Sequence, residues 1–113
     1  MKRLESIQKL SGELLGELIE GAETFVLYVR SQKDYEKIKE IFDVDVVFPE
    51  LEKSFGDKVR FFWTDIDDLP KLSELGVFFA PMVLLFKEGK LKKKLEGIKS
   101  WAEYNKEIGE LLC

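Results

Sequence analysis

Apolar residues recur at helical spacing near both ends of the chain. Near the N-terminus they return every three or four positions over residues 2–20, which predicts one amphipathic helix that ends at Gly21. Near the C-terminus, Ser100 followed three residues later by Glu103 forms a capping-box pattern and predicts the start of another helix. The apolar stripe that we expect this second helix to bury comprises Trp101, Tyr104, Ile108, Leu111 and Leu112.

Four stretches between these helices predict strands. Residues 24–30 hold a continuous apolar run, as in a strand covered on both faces, and predict the centre of a sheet. Residues 59–64 predict a second, aromatic-rich strand. Residues 83–87 and 90–96 predict two strands joined by a tight turn. The lysines of the last strand favour protection of an exposed sheet edge over contact with an acidic partner.

The segment between the first two strands is ambiguous. Residues 33–42 place apolar side chains on one helical face. Residues 43–49 begin with strand-like alternation, whereas Pro49 suits the first turn of a helix that runs to residue 55. We therefore predict a helix, a break and a second helix.

The order of the elements predicts the fold class. A short helix, capped by Asp67 or Asp68 and ended by Gly76, follows the second strand. Strands separated by helices pair in parallel through right-handed crossovers, while the final hairpin is antiparallel. The sequence thus predicts an α/β domain over residues 1–113, with an N-terminal helix over 1–21 and a core over 22–113. Its mixed four-stranded sheet has helices on both faces.

Composition and charge narrow the classes of function. The 113 residues carry 18 Lys and Arg against 22 Asp and Glu, a net charge of −4 that favours neither nucleic acid nor a membrane surface as partner. The longest apolar run spans residues 77–86, about half of a membrane span, and acidic residues enter too early for a signal peptide, so we expect a cytoplasmic protein. Few amides beside many Lys and Glu hint at a hot habitat.

Histidine is absent and cysteine occurs once, at Cys113. The sequence therefore lacks the usual general base, the commonest metal ligand and any Cys-x-x-Cys pair. Acidic residues 65, 67 and 68 lack the glycine and final glutamate of a calcium loop. We expect no enzyme activity, cofactor or metal site.

The stretch from residue 76 to residue 90, with Gly97 after the last strand, resembles the part of thioredoxins in which a proline precedes the third strand. The resemblance implies the thioredoxin fold, a cis Ala80–Pro81 bond and a loop over residues 78–81 beside the redox site. The sequence departs from that family where the cysteine pair would stand, since it reads Ser-Gln-Lys-Asp-Tyr over residues 31–35. It also has Tyr28 in the position of the family's buried acid.

Two blocks carry a narrower resemblance. Residues 45–51, which contain Pro-Glu-Leu, and residues 95–104, which contain Gly-Ile-x-x-Trp-Ala-Glu-Tyr, resemble the hydrogenase-expression proteins of the HyaE/HupG family. These are thioredoxin-fold accessory proteins without the cysteine pair. The resemblance implies a cytoplasmic chaperone-like role in assembling nickel-iron hydrogenase, in which the small subunit, including its twin-arginine signal peptide, is recognised.

Apolar and acidic residues form the candidate protein-binding set. Main-chain pairing at Ala80 would hold an extended peptide, with aromatic anchors beside it, and strand alternation predicts that one anchor is buried and one exposed. Carboxylates would pair with the twin arginines, although such acids are also ordinary caps and surface groups. The set is Phe78, Phe79, Ala80, Pro81, Asp43, Asp45, Glu50 and Asp65.

Other interpretations remain open at this point. The chain could be a redox-inactive protein-binding domain, or a dimerisation domain that joins copies through its helix break or sheet edge. A thiol-disulfide oxidoreductase would depend on Cys113 at a fraying terminus. We expect Trp63 and Trp101 to belong to the core.

Overall fold

A mixed five-stranded sheet forms the middle of the molecule. The structure is a computed structural model that describes residues 3–113. The strand order is β1-β3-β2-β4-β5; β1, β3 and β2 run parallel to one another, and β4 runs antiparallel to both β2 and β5. The strands are β1 (Gln8–Lys9), β2 (Phe25–Arg30), β3 (Arg60–Asp65), β4 (Met82–Lys87) and β5 (Lys90–Glu96). The helices are α1 (Gly12–Glu20), α2 (Lys39–Phe55), α3 (Lys71–Glu74) and α4 (Trp101–Leu111).

Strand β2 is the central strand, as its apolar run predicts. All six of its residues are buried, because β3 covers one edge and β4 covers the other. Its side chains alternate between two separate cores. Val26 and Tyr28 pack with α2 and α4, whereas Phe25 and Leu27 pack with α1 and α3.

The N-terminal segment differs from the prediction. Instead of one helix over 2–20, a 3₁₀ turn at Leu4–Ser6 leads into β1, and α1 begins only after Ser11, whose side chain accepts a hydrogen bond from the N–H of Leu14. Ile7 and Leu10 are both buried, but in the cores on opposite faces of the sheet. A spacing of three suits one face of a helix and also the two faces of a strand, so periodicity alone did not distinguish them. Residues 1 and 2 lie outside the described part of the chain.

The predicted break before Pro49 is also wrong. Helix α2 is continuous from Lys39 to Phe55 with Pro49 inside it, while residues 33–37 form turns. A proline inside a helix costs about 3 kcal/mol because it removes one hydrogen bond and crowds the preceding turn. The buried stripe of α2 outweighs this cost, since each large apolar side chain contributes about 1.5–3 kcal/mol. The stripe comprises Ile41, Val44, Phe48 and Leu51.

Of three predictions about helix caps and Trp101, one is confirmed and two are wrong. Neither Asp67 nor Asp68 caps α3, because Pro70 precedes that helix and provides no side-chain cap. The capping box at the start of α4 is confirmed by a hydrogen bond from the N–H of Glu103 to the Ser100 side chain. Trp101, however, is 47% exposed and does not belong to the core.

The hairpin between β4 and β5 is confirmed. Glu88 and Gly89 make its tight turn with φ angles of 52° and 79°. No helix within residues 3–113 combines the length and the apolar character that a bilayer crossing requires.

Candidate functional site

A groove opens where three loops meet at one end of the sheet. The turn after β2 and the segment after β3 meet there because the carboxyl ends of parallel strands lie at the same edge of a sheet. The loop before β4 closes the third side, because β4 runs antiparallel to β2. The groove has a volume of about 410 Å³.

Two adjacent phenylalanine rings stand out from the loop before β4. Phe78 is 70% exposed and Phe79 is 52% exposed, whereas Val77 and Ala80 on either side are buried. The prediction that one ring would be buried is wrong, because β4 begins only at Met82 and strand alternation does not reach this loop. Two large neighbouring apolar side chains on a surface are typical of a contact site.

Hydrogen bonds hold both ends of this loop. The N–H of Gly97 donates to the carbonyl of Pro81 at 2.9 Å, and the N–H of Val77 donates to the carbonyl of Leu72 at 2.9 Å. The Ala80–Pro81 peptide bond is cis, as the resemblance implies. Within residues 3–113 the backbone of Ala80 makes no hydrogen bond, so its N–H and C=O have no partner there.

Two carboxylates line the groove, and neither belongs to the predicted acidic set. Asp34 accepts a hydrogen bond from the Ser31 hydroxyl at 3.1 Å through one oxygen. Asp67 is exposed and its carboxylate makes no hydrogen bond or ion pair with the described residues. The sequence signal that could have found them is their position just after two neighbouring parallel strands.

Asp45 is half-buried and does not line this groove. Its carboxylate accepts hydrogen bonds from the Tyr28 hydroxyl at 2.7 Å and from Nε and Nη2 of Arg30, both at 3.0 Å. Burial, together with the hydrogen bond to Asp45, raises the pKa of Tyr28 far above its usual value. Burial alone would lower the pKa of Arg30, but the hydrogen bonds and charge of Asp45 raise it. Both oxygens of Asp45 are therefore already paired.

The remaining predicted carboxylates also lie apart from the phenylalanine loop. The two carboxylate oxygens of Asp65 accept hydrogen bonds from the N–H groups of Gln32 at 2.8 Å and Asp67 at 3.0 Å. These bonds connect the turn after β2 to the segment after β3, and both contribute to the groove. Asp43 and Glu50 lie on α2 and line no part of the groove. The structure thus separates the acidic residues that the sequence grouped.

The cysteine lies far from the groove. Cys113 is exposed at the end of α4, and its carbonyl oxygen accepts a hydrogen bond from Lys87 at the last residue of β4. The groove lies at the other end of β4, so roughly 17 Å of strand separate the thiol from Pro81.

Sequence and structure comparisons place the chain among known proteins. Residues 2–104 match the family model of the hydrogenase-1 expression protein HyaE. The chain belongs to the HyaE family. A protein of Aquifex aeolicus (strain VF5), described only as uncharacterized, is 52% identical over 114 residues, which span 100% of this chain and 97% of that protein.

The fold of this HyaE-family chain is that of thioredoxin. The oxidised form of mitochondrial thioredoxin 3 from Saccharomyces cerevisiae superposes with a TM-score of 0.76 at 24% identity, over 95% of this chain and 97% of that chain. A chain from a structural study of thiol resolution in yeast mitochondrial 1-Cys peroxiredoxin via glutathione and thioredoxin systems gives the same TM-score and identity, over 96% and 99%. The predicted fold is confirmed, with a fifth strand added, and the HyaE-family chain has no Cys-x-x-Cys pair.

Proposed function

We propose that the protein is a non-catalytic accessory protein of nickel-iron hydrogenase maturation that binds the hydrogenase small subunit or its twin-arginine signal peptide. Membership of the HyaE family supports the link to hydrogenase expression. The observation that carries the binding role is the pair of exposed rings, Phe78 and Phe79, on a loop fixed at both ends beside the groove.

The groove can hold an extended segment through main-chain and apolar contacts. The backbone N–H and C=O of Ala80 have no partner within residues 3–113, so an extended peptide can pair with them. Phe78 and Phe79 then contact apolar side chains of the client. Partly exposed aromatic residues at the centre of a contact surface supply much of its binding energy.

The groove also offers negative charge for arginine. Asp67 is exposed, and Asp34 has one carboxylate oxygen that no described residue occupies. A carboxylate and a guanidinium can form two parallel hydrogen bonds, which an ammonium group cannot reproduce. We therefore assign the arginine-binding role to Asp34 and Asp67, in place of the acidic residues that the sequence singled out.

The side chains of the groove support binding without turnover. The groove holds two serines, two aspartates and a lysine among apolar residues, and the chain has no histidine to act as a base. A thiol reaction would need Cys113, which lies at the other end of β4. Because a signal peptide is present before export, we place this role in the cytoplasm.

Titration calorimetry of the full chain with a hydrogenase small-subunit signal peptide tests the proposal. We expect micromolar or tighter binding, and weaker binding of a peptide whose two arginines are replaced by lysine. The double variant Phe78→Ser/Phe79→Ser should raise the dissociation constant at least about tenfold, because it removes apolar contact from two rings.

A matched control replaces an exposed ring elsewhere. Phe42 lies on α2 and is 54% exposed. Phe42→Ser should leave the dissociation constant of the peptide unchanged. Absence of heat with the native protein, or equal weakening by Phe42→Ser and by the double variant, would contradict the proposed site.

A further inference from the structure

A second surface with exposed apolar side chains lies on the outer face of α2. Phe42 is 54% exposed and Val46 is 49% exposed, one helical turn apart. A concave region of about 610 Å³ adjoins them, with Leu4, Tyr35 and Trp63 among its lining residues. We call this surface, from Glu36 to Lys53 with the adjoining concavity, the α2 face.

We propose that the α2 face is the interface of a homodimer, in which two α2 helices pack antiparallel across a twofold axis. A twofold interface uses the same patch on both copies, so the patch must complement itself. The α2 face offers such complementarity, because the exposed Phe42 ring borders a concavity whose walls include Leu4, Tyr35 and Trp63 together with charged and polar side chains.

Four charged residues of the α2 face favour a second copy as the partner and an antiparallel direction for it. Glu36 and Lys39 precede the apolar pair, and Glu50 and Lys53 follow it. Antiparallel packing centred between Phe42 and Val46 places Lys39 near Glu50 of the other copy and Glu36 near its Lys53. Parallel packing would instead place each charged residue near the same residue of the other copy, and these like charges would repel each other.

These four charged residues are available for such pairing. Within residues 3–113 none of them takes part in an intramolecular ion pair. Exposed ion pairs contribute little free energy, so their role is to fix orientation, while burial of the apolar pair supplies the affinity.

The sheet edge at β5 is a poor alternative interface for two copies. Strand β5 exposes Lys90, Lys92 and Lys94, so edge-to-edge pairing would bring like charges together. The concavity beside Phe42 and the groove beside Phe78 share no lining residue. A dimer through α2 therefore leaves that groove open, and the inference does not depend on the proposed function.

Sedimentation equilibrium of the full chain under reducing conditions tests the inference over roughly 1–300 µM protein. We expect the average mass to rise toward twice the chain mass with concentration. Val46→Lys should raise the dimer dissociation constant on the order of a hundredfold, because each dimer loses two apolar contacts. Phe78→Ser, on the other surface, should leave it unchanged. A monomer at every concentration, or loss of the dimer in Phe78→Ser alone, overturns the inference.

Charge reversal tests the antiparallel arrangement separately. Lys39→Glu should weaken the dimer several-fold, since it places two acidic residues together. The double variant Lys39→Glu/Glu50→Lys restores opposite charges across the interface and should recover the native dissociation constant. A double variant as weak as the single one overturns the antiparallel pairing.

Discussion

At the residue scale, a polar cluster of Tyr28, Arg30 and Asp45 occupies both carboxylate oxygens of Asp45. Tyr28 stands where thioredoxins are expected to carry a buried acid, and here its hydroxyl donates to Asp45 and to the carbonyl of Ile41. Arg30 completes the cluster and also donates to Gln32. The cluster ties β2 to α2 and keeps Asp45 out of any pairing with a client.

Asp45→Asn should destabilise the fold by about 3 kcal/mol, because the buried guanidinium of Arg30 loses its counter-charge. The matched change Asp43→Asn, at an exposed position two residues earlier, should alter the free energy of unfolding by less than about 0.5 kcal/mol. Urea denaturation followed by circular dichroism measures both values. Equal values for the two variants would contradict a structural role for Asp45.

Sequence alone did not separate these two aspartates. Asp43 and Asp45 lie in the same acidic stretch, and only the rotation of α2 against β2 points one inward and one outward. The prediction that one of Phe78 and Phe79 is buried failed for a related reason, since alternation was extended into a loop that precedes the strand. Side-chain direction at such positions depends on the exact end of an element.

At the element scale, the predictions held where a pattern allowed one structure only. The continuous apolar run of β2, the hairpin turn and the Ser100 cap each have one physical interpretation. The N-terminal segment and α2 failed because their patterns allowed two. In α2 the packing of a long apolar stripe kept the helix continuous through Pro49, which local preference alone would not predict.

Two glycines with positive φ, Gly89 in the hairpin turn and Gly97 just after β5, test how the hairpin packs. Gly97→Ala should cost about 1 kcal/mol, since its φ of 69° disfavours a side chain but the space around it is open. Gly89→Ala should cost about 3 kcal/mol, because its added Cβ would also lie 2.4 Å from the carbonyl oxygen of Ile19.

Thermal and urea unfolding of these two variants measure the difference. Gly97→Ala serves as the control, because it shares the positive φ but not the close approach. A cost for Gly89→Ala no greater than that for Gly97→Ala would show that the hairpin does not pack against the end of α1.

At the scale of the whole molecule, the order of elements was enough to predict the fold, and the fold predicts where a groove must lie. The carboxyl ends of β2 and β3 and the loop before β4 converge whatever their side chains are. The order of the elements does not predict the charge of the groove. Asp34 and Asp67 come from separate turns that only the folded sheet brings to one site.

The central claim is that a twin-arginine peptide binds in the groove beside Phe78 and Phe79. Amide chemical-shift mapping by NMR, with the full chain and the peptide of a hydrogenase small subunit, tests it most directly. We expect shifts at residues 31–34, 66–73 and 77–81, and none at Phe42 or Val46. Shifts confined to α2, or none at saturating peptide, would contradict it.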